Sequence, residues 1–195
     1  MTYPDTWAKE AAAFRASAAG ELDVPYGDNP REVLDLFRPS GSAKGLAVIV
    51  HGGYWLNFDK SFWSDLARGP LAHGWAVAIP SYTLAPNARI GQITNQIAKA
   101  ISKAASMVSG PIRLTGHSAG GHLVTRMICQ TTPLAPEVVQ QVERVVSISG
   151  VHDLRPLLST SMNTNLQLDT DEARLESPAL CDPITSAEVI AWVGG

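Results

Sequence analysis

The chain has only two cysteines, Cys129 and Cys181, among 195 residues, too few for a disulfide framework or a cysteine-built metal site. It has no block of like charge. Fifteen Lys and Arg against 18 Asp and Glu leave a net charge of −3, without the basic footprint that nucleic-acid binding requires. No apolar run approaches the length of a membrane span. Residues 1–20 are alanine-rich and interspersed with Lys9, Glu10 and Arg15; they lack the apolar stretch of a signal peptide and read as an ordinary first helix, and a cytoplasmic location is the expectation. What is present is 45% hydrophobic residues, enough for the core of one large domain.

The pattern along the chain alternates between strands and helices. Residues 21–27 and 31–38 read as two early strands joined by the turn cluster Asp28-Asn29-Pro30, although Asp35 interrupts the alternation of Val33, Leu34, Leu36 and Phe37. The apolar run 46–50 is suited to a buried strand, residues 60–72 to a helical face through Phe62, Trp63, Leu66 and Ala67, and 74–79 to a strand stopped by Pro80. Ile90, Ile93, Ile97, Ile101 and Ala105 recur at three- and four-residue spacing, which predicts an amphipathic helix over 88–108. Then follow a strand at 111–115, a helix to about Gln130, and strands at 144–148 and 188–193. Such alternation implies a mostly parallel sheet with right-handed crossovers and helices on both faces, an α/β fold in one domain over 1–195. The polar stretch 159–182 is expected to form a cap or lid.

Two motifs sit at the carboxyl ends of predicted strands. Gly116-His-Ser118-Ala-Gly120 fits a nucleophile elbow, in which a strained strand-to-helix turn lifts a serine hydroxyl above a sheet edge. Composition alone yields this pattern about one time in ten, so it says little by itself. His51-Gly52-Gly53-Tyr54-Trp55, directly after the strand 46–50, fits a loop that offers backbone N–H groups to an oxyanion. Together the two are expected by chance about three times in a thousand. Both lie where open α/β sheets bind ligands.

These motifs resemble those of the α/β-hydrolase superfamily, on its esterase branch. The chain is more closely similar to bacterial kynurenine formamidase (arylformamidase)-like hydrolases. The likeness rests on Asp23-Val-Pro-Tyr26-Gly27, Arg31-Glu-x-Leu-Asp-Leu36, the His51–Trp55 loop, Tyr82-x-Leu-Ala-Pro86, Gly116–His122 and Ser149-Gly-Val-His-Asp-Leu-Arg-Pro156. The resemblance implies an α/β-hydrolase fold and cleavage of an aryl formamide, N-formylkynurenine to kynurenine and formate in tryptophan breakdown, or of a small carboxylic ester. In the superfamily the order is serine, then acid, then histidine on loops after later strands. On that pattern the chain stops after its seventh strand, with the triad acid and histidine expected beyond Gly195 and this length expected to be nearly inert.

Ser118 is the expected nucleophile, its plainer alternative being a helix N-cap. Gly52, Gly53 and Ala119 are the expected oxyanion donors, against a reading of His-Gly-Gly as a tight turn. Tyr54 and Trp55 are expected to line the substrate pocket, with Phe58 close by, although aromatic residues beside a strand end are often plain core. His51 reads as a loop brace, His122 as structural, His73 as a helix C-terminal contact, and Asp153 as an anchor of its own loop beside His152. No complete triad is found, and no metal or organic cofactor is implied. The expected partner is a small-molecule substrate, with an exposed strand edge favouring a homodimer and no role for nucleic acid or membrane. The rival readings are a general short-chain carboxylesterase and a catalytically silent hydrolase-fold fragment.

Overall fold

Seven strands form one sheet in the order β1-β2-β4-β3-β5-β6-β7 in the computed structural model, which describes residues 3–194. They are β1 (Gly20–Pro25), β2 (Val33–Phe37), β3 (Leu46–Val50), β4 (Ala76–Pro80), β5 (Ile112–His117), β6 (Val142–Ile148) and β7 (Glu188–Trp192). β1 pairs antiparallel with β2 and β2 with β4, whereas β4, β3, β5, β6 and β7 run parallel. This is the mostly parallel sheet of the α/β-hydrolase fold.

One face is covered by α3 (Ile90–Met107) and α4 (Ala119–Arg126). The apolar spacing read from the sequence does this: Ile90, Ile93, Ile97 and Ile101 are fully buried against Leu46, Val48, Leu114 and Val145. On the other face, α1 (Tyr3–Ser17) and α2 (Arg68–Ala72) pack over the antiparallel end, where Phe14, Ala67 and Trp75 meet Phe37, Ala47, Val77 and Ile79. The first helix ends at Ser17, and Gly20 already opens β1; Met1 and Thr2 lie outside the described residues.

The expected helix over 60–72 is broken into two 3₁₀ turns, Lys60–Phe62 and Ser64–Ala67, followed by α2. Trp63, at φ −129°, leaves the helical region between the turns. The Lys60 side chain is drawn inward rather than out to solvent: its Nζ lies 2.7 Å from Asp23 Oδ1 and 2.7 Å from Asp35 Oδ1. The same contact explains why Asp35 interrupts the pattern of β2. It is a buried carboxylate paired across elements, as a charge in a core must be. The second strand begins only at Val33 because Arg31 belongs to the preceding turn, where its N–H donates to Asn29 Oδ1 at 3.0 Å.

The helix after the elbow ends at Arg126 rather than near Gln130, and a short α5 (Pro136–Val139) precedes β6. The stretch expected as a cap forms α6 (Asn163–Leu166) and α7 (Thr170–Leu175), with 3₁₀ turns at either end. It is tied to the first turn of α3 by Glu172, which accepts from Arg89 Nε at 2.8 Å and from Gly91 N at 3.0 Å. It is tied to α4 by the buried Arg126–Glu176 pair, at 3.1 Å. Among the described residues no helix is long and apolar enough to cross a membrane.

Candidate active site

The turn from β5 into α4 places Ser118 at φ 54° and ψ −116°, backbone angles that an L-residue adopts only under constraint. The constraint is steric and local. A Cβ at Gly120 would strike the carbonyl oxygens of Val50 and His51, so the helix can approach β3 only because that position is glycine. Ser118 N–H donates to Ile148 O at 2.9 Å, which fixes the elbow to β6. No side chain caps the first turn of α4. Helix geometry therefore leaves the Ala119 N–H, beside the serine, without an intrahelical acceptor.

Gly52 packs directly on the elbow: a Cβ there would lie 2.7 Å from His117 O and 3.2 Å from Ser118 Cβ. His51 is the device that orients this loop. Its ring is buried and stacked on Tyr82, centroids 4.3 Å apart and planes 7° from parallel. Nδ1–H donates to Gly52 O at 2.8 Å, and Tyr82 O–H donates to His51 O at 3.1 Å. Burial pushes the imidazole down to about 4, so it stays neutral near pH 7. With the Gly52 carbonyl held toward the ring, the trans peptide turns the Gly53 N–H to the opposite side.

His122 and His152 are held by other partners, whereas His117, beside Ser118, is exposed. His122 is fully buried; its Nε2–H donates to Glu176 O at 2.7 Å, and burial likewise lowers it to about 4. His152 Nε2 lies 2.8 Å from Ser147 Oγ and is lowered by partial burial. Asp153 binds Arg155 Nη2 at 2.7 Å and accepts Arg155 N at 3.1 Å, and this pairing lowers it to about 2. It anchors its own loop. His73 is exposed and sits at the C-cap of α2. Among the described residues no hydrogen bond joins Ser118 Oγ to an imidazole, and no cluster of three or more His, Cys, Asp or Glu could hold a metal ion.

Ser118, Ala119, Gly52 and Gly53 thus converge at the carboxyl ends of β3 and β5. Tyr54 follows them, about half exposed at φ 55°. Trp55 does not join it as a pocket residue. It has no exposed surface and packs edge-on against His122, centroids 5.2 Å apart. The core alternative holds there, because α4 covers the indole. Phe58 is partly buried against Phe62 and Trp63.

Two residues outside the elbow and the His51–Trp55 loop hold that loop. Arg31 donates from Nε to Tyr82 O at 2.7 Å and from Nη2 to Phe58 O at 2.6 Å, so the β1–β2 turn clips together the loops after β3 and β4. Tyr82 supplies the stacking face for His51. Neither role leaves a signal at short range in the sequence. An apolar cavity of about 330 Å³ lies nearby, lined in part by Trp7, Ile49, Trp63, Leu66, Thr115 and Ile148. It runs along the sheet face up to His51, Gly52 and His117, at the carboxyl ends of β3 and β5 where ligands bind in open α/β sheets.

The BD-FAE family model matches residues 34–190. The chain is 32% identical over 163 residues to the kynurenine formamidase of Danio rerio, covering 81% of this chain and 55% of that protein. It is 33% identical over 175 residues to the kynurenine formamidase of Salmo salar, covering 87% and 58%. The chain therefore spans little more than half the length of these curated relatives. A solved structure from Silicibacter sp. TM1040, provisionally designated a thioesterase, superposes with a TM-score of 0.97 at 50% identity over 99% of this chain and 74% of that one.

Proposed function

This chain belongs to the BD-FAE family, and from that premise we propose that the whole protein is a serine hydrolase that cleaves an aryl formamide, N-formylkynurenine, to kynurenine and formate. The observation that carries the reading is the strained Ser118 turn with the Gly52 backbone packed on it. In this reading the Ser118 hydroxyl attacks the carbonyl carbon, and the tetrahedral oxyanion rests on the Ala119 N–H and the N–H groups of Gly52 and Gly53. Such preorganised donors each lower a barrier by about 3–4 kcal/mol. The amine then leaves, and water releases the acyl group from the serine. A serine hydroxyl attacks at neutral pH only if a base takes its proton. His51, His122 and His152 are held by Gly52, Glu176 and Ser147 respectively, so the base lies outside these three.

The Gly52 backbone packs against the serine turn, and on this reading the acyl group accepted there is small, of which formyl is the smallest. Tyr54 offers a half-exposed ring on which an aryl leaving group would stack. The formamidase names of the two curated relatives support the same substrate. A short-chain carboxylesterase is the second reading, and the thioesterase designation of the 50% identical structure extends it to thioesters.

Initial rates of the whole protein on N-formylkynurenine, p-nitrophenyl butyrate and a short acyl thioester separate these readings. The expected result is the highest kcat/KM on N-formylkynurenine, with ester cleavage persisting some 10–200-fold lower, the range that pocket fit achieves. Activity is expected to vanish in Ser118→Ala. Equal or faster turnover of longer acyl esters or thioesters, with no formamide cleavage, would replace the formamidase reading.

A further inference from the structure

Cys129 and Cys181 are the two cysteines of the chain, far apart in sequence, and the fold brings their segments side by side. Cys129 is buried in the turn that follows α4, and its S–H donates to Thr125 O at 3.5 Å. Cys181 follows the 3₁₀ turn Pro178–Leu180, and its S–H donates to Ser177 O at 3.6 Å. An antiparallel bridge pairs Cys129 with Pro183, and Ile184 N–H donates to Ile128 O at 2.9 Å. Gln130 Nε2 donates to Asp182 Oδ2 at 3.4 Å. These contacts lay the strap 181–184 alongside 128–130 and bring the two thiol side chains close enough to interact.

The two sulfurs differ in access. Cys181 is partly exposed and opens on a surface cleft of about 490 Å³ shared with Thr131, Asp171 and Arg174. Cys129 sits behind it, and burial pushes its thiol up to about 11. An accessible thiol in front of a buried one is the arrangement of an attacking and a resolving cysteine.

We propose that Cys129 and Cys181 form a reversible intramolecular disulfide on reaction with a low-molecular-weight disulfide. The Cys181 thiolate attacks one sulfur of the oxidant, forming a mixed disulfide and expelling one small thiol, which takes up a proton. Cys129 then loses its proton to solvent and attacks the Cys181 sulfur, expelling the second small thiol. The protein loses two electrons and two protons, and the oxidant is reduced to two thiols. The bond staples the end of the nucleophile helix α4 to the strap that leads into β7, closing the loop 129–181. The inference is independent of the substrate and of any turnover.

Incubation of the full chain with glutathione disulfide, followed by intact-mass measurement and peptide mapping, tests it. The expected product has lost two hydrogens, carries no glutathione and yields a Cys129–Cys181 linked peptide. Its melting temperature is raised by about 5–10 °C, a rise abolished by dithiothreitol. Cys129→Ser is expected to retain one glutathione on Cys181, and Cys181→Ser to react at least tenfold more slowly than the wild type. Stable glutathione on Cys181 of the wild type, links only between chains, or two unreacted thiols would each overturn the proposal. The wild-type peptide map decides the matter even if a serine variant fails to fold.

Discussion

The half of the sheet made by β2, β4 and β3 is covered on both faces, whereas in the other half β5 and β6 are covered on one face and β7 on neither. Every residue of β4 is buried, and every residue of β7 is exposed. In β5 only alternate residues are buried, and the row facing the α1 side is open. Register places Thr115 beside Val146 and Ile190, and His117 beside Ile148 and Trp192, so the open face is an apolar strip at the carboxyl end of the sheet. The difference teaches where stability and chemistry are separated in this fold. The candidate site stands on the seam: the His51–Gly53 loop rises from β3 in the sandwiched half, and Ser118 from β5 at the edge of the open one. The loop is the part braced from a distance, through Arg31, Tyr82 and His51.

The largest expected effect breaks the sandwiched half. Val77 is fully buried between β4's neighbours and the α1 layer, so Val77→Lys places an unpaired charge in a dry core. The expected cost is about 4 kcal/mol or more, read as loss of the cooperative urea transition or of soluble protein. A folded Val77→Lys with near wild-type stability would show that the two halves are not unequal.

Acid sharpens the comparison at the seam. His51 and His122 are both held at about 4 by burial, below the ordinary value of about 6.5 that the unfolded chain presents. The unfolded state therefore binds more protons between these values. Stability is full above about pH 6.5 and is lost as pH falls toward 4. At pH 5 the loss is on the order of 2 kcal/mol for each histidine. Urea melts at pH 7.5 and pH 5 measure it, and His122→Asn is expected to remove about half of the pH dependence. A flat profile would mean that these imidazoles are hydrated.

The smallest effect belongs to the open half. Ile190→Lys changes a partly exposed edge-strand residue, and its cost is expected to stay within about 0.5 kcal/mol. The same change, combined with Trp192→Lys, is expected to cut the binding of an apolar fluorescent dye to the native protein, because it interrupts the strip. Undiminished dye binding would place the exposed apolar surface elsewhere.

Much of this was legible in the sequence, for physical reasons that differ by element. All seven strands and α3 follow from periodicity within a few residues, because buried faces repeat at the spacing of their own backbone. The elbow and the His51–Gly53 loop are legible because close backbone approach demands glycine at fixed short spacing. Lys60, Trp55 and Arg31 are not legible. Each is placed by a partner from another element: Asp35 for Lys60, His122 for Trp55, and Phe58 and Tyr82 for Arg31. Lys60 turned inward breaks the expected helix, and Trp55 turned inward leaves Tyr54 alone on the surface. The short helices α6 and α7 are too brief for a periodic signal, and α7 is held by charges that meet Arg89 across the fold.

The central claim is that Ser118, held on the seam, is the acyl acceptor. Reaction of the whole protein with an aryl fluorophosphonate, read by intact mass and peptide mapping, tests it most directly. The account predicts one adduct per chain, on the peptide that carries Ser118, lost in Ser118→Ala and strongly slowed in Gly52→Ala. No adduct, or an adduct that persists undiminished in Ser118→Ala, would contradict it.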